Sequence, residues 1–69
     1  MPRKRTTIGQ MLKRLREERN ISQLQLAQQA GVAQGYISDL EAGTKANPSV
    51  DVLKKLAKAL NCSIAELLG

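Results

Sequence analysis

The apolar residues of this chain fall into short runs at helical spacing, separated by polar or glycine-containing breaks. Ile8, Met11, Leu12 and Leu15 form the first run, which follows Thr7 and Gln10. A threonine with glutamine three residues on can cap a helix reciprocally, so a helix is expected from here to about Arg19. Lys13, Arg14, Glu17 and Glu18 lie on its outer face, and Asn20 can close it in the left-handed conformation. Ser22 and Gln25 repeat the capping pattern, with Ile21 and Leu26 placed as a hydrophobic staple. Ala27 is small where a second helix must cross closely, and Gly31 suits a turn that needs positive φ.

Beyond Gly31 the spacing of Ile37 and Leu40 gives a further helix one apolar side. Its other side, from Gln34, Gly35, Ser38, Asp39 and Ala42, is polar or small, and Gly43 can end it. Two short helices at a steep angle, the second with a free polar face, are the plan of a helix-turn-helix over residues 22–41. Pro48 pushes Asn47 out of helical geometry, and Ser49 can cap a fourth helix reaching about Leu60. Val50, Leu53, Leu56, Ala57 and Leu60 form its expected buried side, with Lys54, Lys55 and Lys58 outside. Asn61 ends it, and Ser63 with Glu66 opens a last short helix whose apolar residues are Ile64, Leu67 and Leu68. The expectation is therefore all-α, a compact five-helix bundle with no strand signal.

Composition narrows what such a bundle can do. A chain of 69 residues supports one small domain, which buries only about 60% of its unfolded surface and gains from dimerising. Its net charge of +5 favours an anionic partner, nucleic acid ahead of membrane. Residues 1–7 read as a basic flexible arm, carrying Arg3, Lys4 and Arg5, ahead of a domain spanning 8–69. That arm is either a solvated terminus or a segment that follows phosphates or reaches a groove. One cysteine, Cys62, excludes an internal disulfide and a cysteine zinc cluster, and fits a reduced, intracellular setting. No apolar run is long enough for a bilayer, and no signal-peptide core is present. Without histidine, a phosphate-binding glycine loop or a metal-ligand cluster, an enzyme has no support, and no cofactor, metal or small-molecule ligand is expected. Leu24 only borders the buried side of its helix and is expected at the surface, while Gln25, Gln28 and Gln29 face solvent.

The ordered segments IGQMLKRLREER, ISQLQLAQQAGV, YISDLEAG, NPSVDVLKKLAKAL and SIAELL resemble the Cro/repressor-type helix-turn-helix family, often called XRE-like. The resemblance runs from Ile8 to Leu68 and includes the SQ-x-x-LA start, the I-S-x-x-E-x-G end and the NPS helix start. It implies a lambda-repressor-like domain that puts its third helix in the major groove and binds a palindromic operator as a homodimer. The usual activity is transcriptional regulation, most often repression, in a cytoplasmic, nucleoid-associated setting of bacterial or phage type. Rival readings are a protein-interaction module (adaptor, antitoxin or anti-repressor) and the DNA-binding fragment of a longer regulator.

Carried over residue by residue, the resemblance makes Gln23 a phosphate contact and Gln34 a base reader. A glutamine can pair with adenine N6 and N7. Ser38 and Asp39 match groove-facing positions, where Asp39 can accept from cytosine N4 or act by exclusion. Tyr36, Thr44, Lys45, Ala46 and Asn47 match backbone-contacting positions. The N–H groups at Ser49 and Val50 would face a phosphate. Arg16 and Glu41 match a partly buried salt bridge between the first helix and the recognition helix. Gly35 stands where many relatives carry a reading side chain, and Ala33 where a capping Ser or Thr is common. From Asn20 to Thr44 there is no Lys or Arg, and the only charges are Asp39 and Glu41. Attraction to DNA must then come from the arm, the first helix, Lys45 and helix dipoles.

Overall fold

In the computed structural model, residues 7–44 and 48–68 are described. They form five α-helices: α1 Ile8–Glu18, α2 Gln23–Ala30, α3 Gln34–Ala42, α4 Val50–Leu60 and α5 Ile64–Leu68. Among the described residues there is no strand. The arm residues before Thr7, together with Lys45, Ala46 and Asn47, lie outside the described residues.

Local chemistry explains where the helices begin and end. The Gln10 N–H donates to Thr7 Oγ1 and the Thr7 N–H to Gln10 Oε1, each at 3.1 Å. Ser22 with Gln25, and Ser63 with Glu66, make the same reciprocal pair at the starts of α2 and α5. Ser49 Oγ accepts from the Val52 N–H at 3.2 Å and caps α4. The ends share one geometry. Asn20, Gly31, Gly43 and Asn61 all take positive φ. The N–H of the next residue then returns to a carbonyl five back, from Ile21 to Arg16, Val32 to Ala27, Thr44 to Asp39 and Cys62 to Ala57. That closure satisfies carbonyls that would otherwise be orphaned at a helix end.

The helices pack as a ring. α1 lies against α3 and α5, α2 against α3 and α4, and α4 against α5. The space inside is filled by Leu12, Leu26, Ile37, Leu40, Leu56, Leu60 and Leu67, all fully buried, with Ala27, Ala30 and Ala57 buried beside them. With no aromatic residue in that buried set, the core relies on aliphatic packing.

One expectation about sidedness needs correction. Val50 is 63% exposed rather than buried. At about 100° per residue it lies about 120° around α4 from Leu56, at the free first turn. Val52, four residues before Leu56, packs against the core instead. Leu68, read with the apolar residues of α5, is 59% exposed, whereas Leu67 carries the burial there. Leu24 is at the surface as expected, 48% exposed. Cys62 packs beside the core, and burial, helped by Glu66, pushes its thiol pKa up.

Candidate nucleic-acid interface

α3 presents two unlike sides. Gln34, Gly35, Ser38 and Ala42 are exposed, and the steps of three and four residues among them make one continuous stripe. Ile37 and Leu40 are buried, with Tyr36 half-buried and packed against the core. Every side chain on the exposed stripe except Gln34 is small, so the helix backbone can come close to whatever it faces. Gly35 has open space where a Cβ would stand. Asp39 is half-buried, and its backbone carbonyl accepts from both the N–H and the hydroxyl of Thr44, each at 3.0 Å.

The start of α3 lacks a side-chain cap, because Ala33 has nothing to offer its free N–H groups. Stability comes from the other end of the helix. Arg16 Nε donates to Glu41 Oε2 at 2.8 Å and Arg16 Nη2 to Glu41 Oε1 at 3.0 Å. The two side chains are only 12% and 5% exposed. The hydrogen bond to Glu41 raises the pKa of Arg16, against a lowering by burial. Arg16 Nη1 also donates to the Ile21 carbonyl at 2.9 Å, so one guanidinium ties α1, the turn before α2, and α3. A forked pair in which each guanidinium nitrogen and each carboxylate oxygen has a hydrogen-bond partner is the arrangement in which buried charge is tolerated.

Gln23 sits at the start of α2, and its Nε2 donates to Glu41 Oε1 at 3.0 Å. That bond was not foreseen from the sequence, which offers no pattern linking residues so far apart. Gly9 was also missed. A Cβ there would overlap the Leu40 carbonyl oxygen and stand 3.2 Å from Glu41 Cα, so α1 crosses the backbone of α3 at this glycine. An isolated glycine inside an amphipathic helix was the available signal. Arg19 is a third omission: its Nε donates to the Leu60 carbonyl and its Nη1 to the Leu15 carbonyl, clasping α1 to the end of α4. Thr44 and Ser49 are exposed near the break between α3 and α4; Lys45 and Asn47 fall within that break, outside the described residues.

Two packed helices joined by a three-residue turn, one capped at its start and the next bearing a bare, small-residue face, fit the plan of a helix-turn-helix. Residues 12–67 match the family described as Helix-turn-helix. The chain belongs to the Cro/repressor-type helix-turn-helix family. Within that family it is 41% identical over 61 residues to the HTH-type transcriptional regulator SinR of Bacillus subtilis (strain 168), covering 88% of this chain and 55% of SinR. It is 36% identical over 63 residues to the immunity repressor protein of Bacillus phage phi105, covering 91% of this chain and 43% of the repressor. The structure of SinR, the master regulator for biofilm formation, in complex with DNA superposes with a TM-score of 0.88 at 40% identity, over 91% of this chain and 100% of that one. The chain thus spans about half the length of the curated relatives it matches. As a member of this helix-turn-helix family it has, among the described residues, no group of three or more metal-ligating side chains. No described helix is long and apolar enough to cross a membrane.

Proposed function

We propose that this chain is the sequence-reading domain of a transcriptional regulator, a repressor that binds double-stranded DNA with α3 in the major groove. The observation that carries the reading is the exposed stripe Gln34–Gly35–Ser38–Ala42 on a helix anchored from its opposite side by Leu40 and along its flank by the Arg16–Glu41 pair. A rigidly held helix with a bare outer face is what direct readout requires. Gln34 reads a base edge, with adenine its best bidentate partner. Gly35 lets the backbone approach, and Ser38 and Asp39 discriminate further along the groove. Gln23, Tyr36, Thr44, Lys45, Asn47 and Ser49 meet the phosphate backbone. The activity is binding, not catalysis, and needs no cofactor, metal or small-molecule ligand. The regulator acts in the cytoplasm as a homodimer on a palindromic operator, its half-sites separated by about one helical turn, roughly 34–36 Å.

Selection of bound duplexes from a random pool, followed by a salt-titrated gel shift, tests this. An enriched palindrome is the expected result. No enrichment at low salt would remove the repressor reading and leave a protein-interaction module in its place. On the selected duplex, Gln34→Ala should lose about 1–3 kcal/mol at one base pair with the fold intact. Equal weakening on every sequence would make Gln34 a phosphate contact instead.

A further inference from the structure

α3 is built from two unequal parts. From Ile37 onward it is anchored: Ile37 and Leu40 are buried, Glu41 is paired with Arg16, and α1 crosses at Gly9 against the Leu40 carbonyl. Ahead of Ile37, Tyr36 is half-buried beside the core, whereas Ala33, Gln34 and Gly35 are all exposed. We infer that this first turn is a separate unit, which opens and closes on its own in the free chain and is held shut by bound DNA; its DNA half rests on the DNA-binding reading above. The target itself then sets the base reader Gln34 in place.

Three features weaken that turn. Its cap is missing at Ala33, whereas Thr7, Ser22, Ser49 and Ser63 each accept an N–H at the starts of the other helices. Its first helical hydrogen bond is long: the Ile37 N–H reaches the Ala33 carbonyl at 3.4 Å, and the Tyr36 N–H shares that carbonyl at 3.1 Å. The matching bond is 3.0 Å in α1 and α2, 2.9 Å in α4 and 3.3 Å in the short α5. The third feature is Gly35. Gly31 and Gly43 have positive φ, and Gly9 lies against the Leu40 carbonyl, so each serves the fold. Gly35 has no positive φ, and a Cβ there would meet nothing within 4 Å, so nothing in the folded chain calls for a glycine. A missing cap and a helical glycine each weaken a turn about fivefold. Opening forfeits little: the Tyr36 and Ile37 N–H groups turn to water, while Val32 keeps its bond to the Ala27 carbonyl. Segments with exposed backbone bonds and little buried surface open without the rest of a domain, and a ligand that binds only the closed form suppresses the opening.

The test is amide hydrogen exchange of the 69-residue chain through low urea concentrations, read at two matched positions, Ile37 in α3 and Leu26 in α2. Each is the fourth residue after its cap. A local opening exposes almost no new surface, so the Ile37 rate should stay flat with urea while the Leu26 rate climbs. In water Ile37 should exchange about 25-fold faster than Leu26, the product of the two fivefold effects. Ala33→Ser should slow the Ile37 amide about fivefold, and Gly35→Ala by a similar factor. On the selected duplex the flat component should vanish, and Ile37 should follow Leu26. An Ile37 rate that climbs with urea alongside Leu26 in the free chain would overturn the separate turn. A flat rate that survives on saturating duplex would overturn its closure by DNA. A chain that binds no duplex at low salt would remove the DNA-binding reading instead, and the free-chain rates would still decide whether the turn opens alone.

Discussion

α2 and α3 are near equals in length, 8 and 9 residues, yet they are held from opposite ends. α2 is secured at its first turn, where Ser22 and Gln25 satisfy each other's backbone N–H groups. α3 starts on Ala33 with no side-chain cap and is secured at its last turns, by buried Leu40, by the close crossing at Gly9, and by Glu41 in its pair with Arg16. The difference shows how a small domain can fix a helix without covering its outer face. The cap of α2, the core contacts of Leu40 and the ion pair of Glu41 all lie off the exposed stripe of α3. The cost is a first turn less stable than that of α2, and the gain is a stripe of small side chains with open space around Gly35.

The contrast breaks most visibly at Glu41. Glu41→Ala leaves the largely buried Arg16 charge without its carboxylate partner, and should cost about 3–5 kcal/mol, read as a lower urea midpoint at an unchanged m-value. Replacing both partners, Arg16→Met with Glu41→Leu, should recover most of that stability, because two apolar side chains carry no desolvation penalty. A loss under about 1 kcal/mol for Glu41→Ala would mean that α3 is not anchored from its C-terminal end. Gly9→Ala comes next. In an exposed helix interior this change gains about 1 kcal/mol, but here the new methyl meets the Leu40 carbonyl. A net loss of about 1–3 kcal/mol is expected in thermal unfolding, and a gain would show that the two helices can slide apart freely. The smallest effects address the helix starts directly. Ser22→Ala should lose about 1 kcal/mol and Ala33→Ser should gain a similar amount, equal and opposite shifts in the same denaturation series.

Much of this arrangement is legible in the sequence because it is local. The serine and threonine caps, the left-handed Asn20 and Asn61, the glycines at 31 and 43, and the five helices all follow from residues within one turn of each other. The side of α3 that stays exposed follows from spacing alone. Val50 shows where spacing fails: at a helix end, an apolar residue a third of a turn off the buried side has nothing to pack against. The long-range bonds were out of reach of periodicity altogether. Resemblance to a family suggested that Arg16 meets Glu41, but nothing in the pattern suggested that Gln23 joins them or that Arg19 reaches Leu60. These depend on where three or four helices come to rest, and only the packed structure specifies that.

The ring of helices has a consequence for how the chain assembles. α2 and α3 are joined across a three-residue turn, and so are α4 and α5, so both pairs can form from neighbouring sequence. α1 reaches α3 and the end of α4 over long separations, 25 residues from Arg16 to Glu41 and 41 from Arg19 to Leu60. Closing such loops carries an entropic cost before any contact compensates for it. The packing of α1 is therefore expected to form late, as is that of α2 on α4, which spans a similar separation. Changes in α1 should therefore act on the speed of opening, leaving the speed of folding nearly untouched, so that the first helix sets the lifetime of the domain.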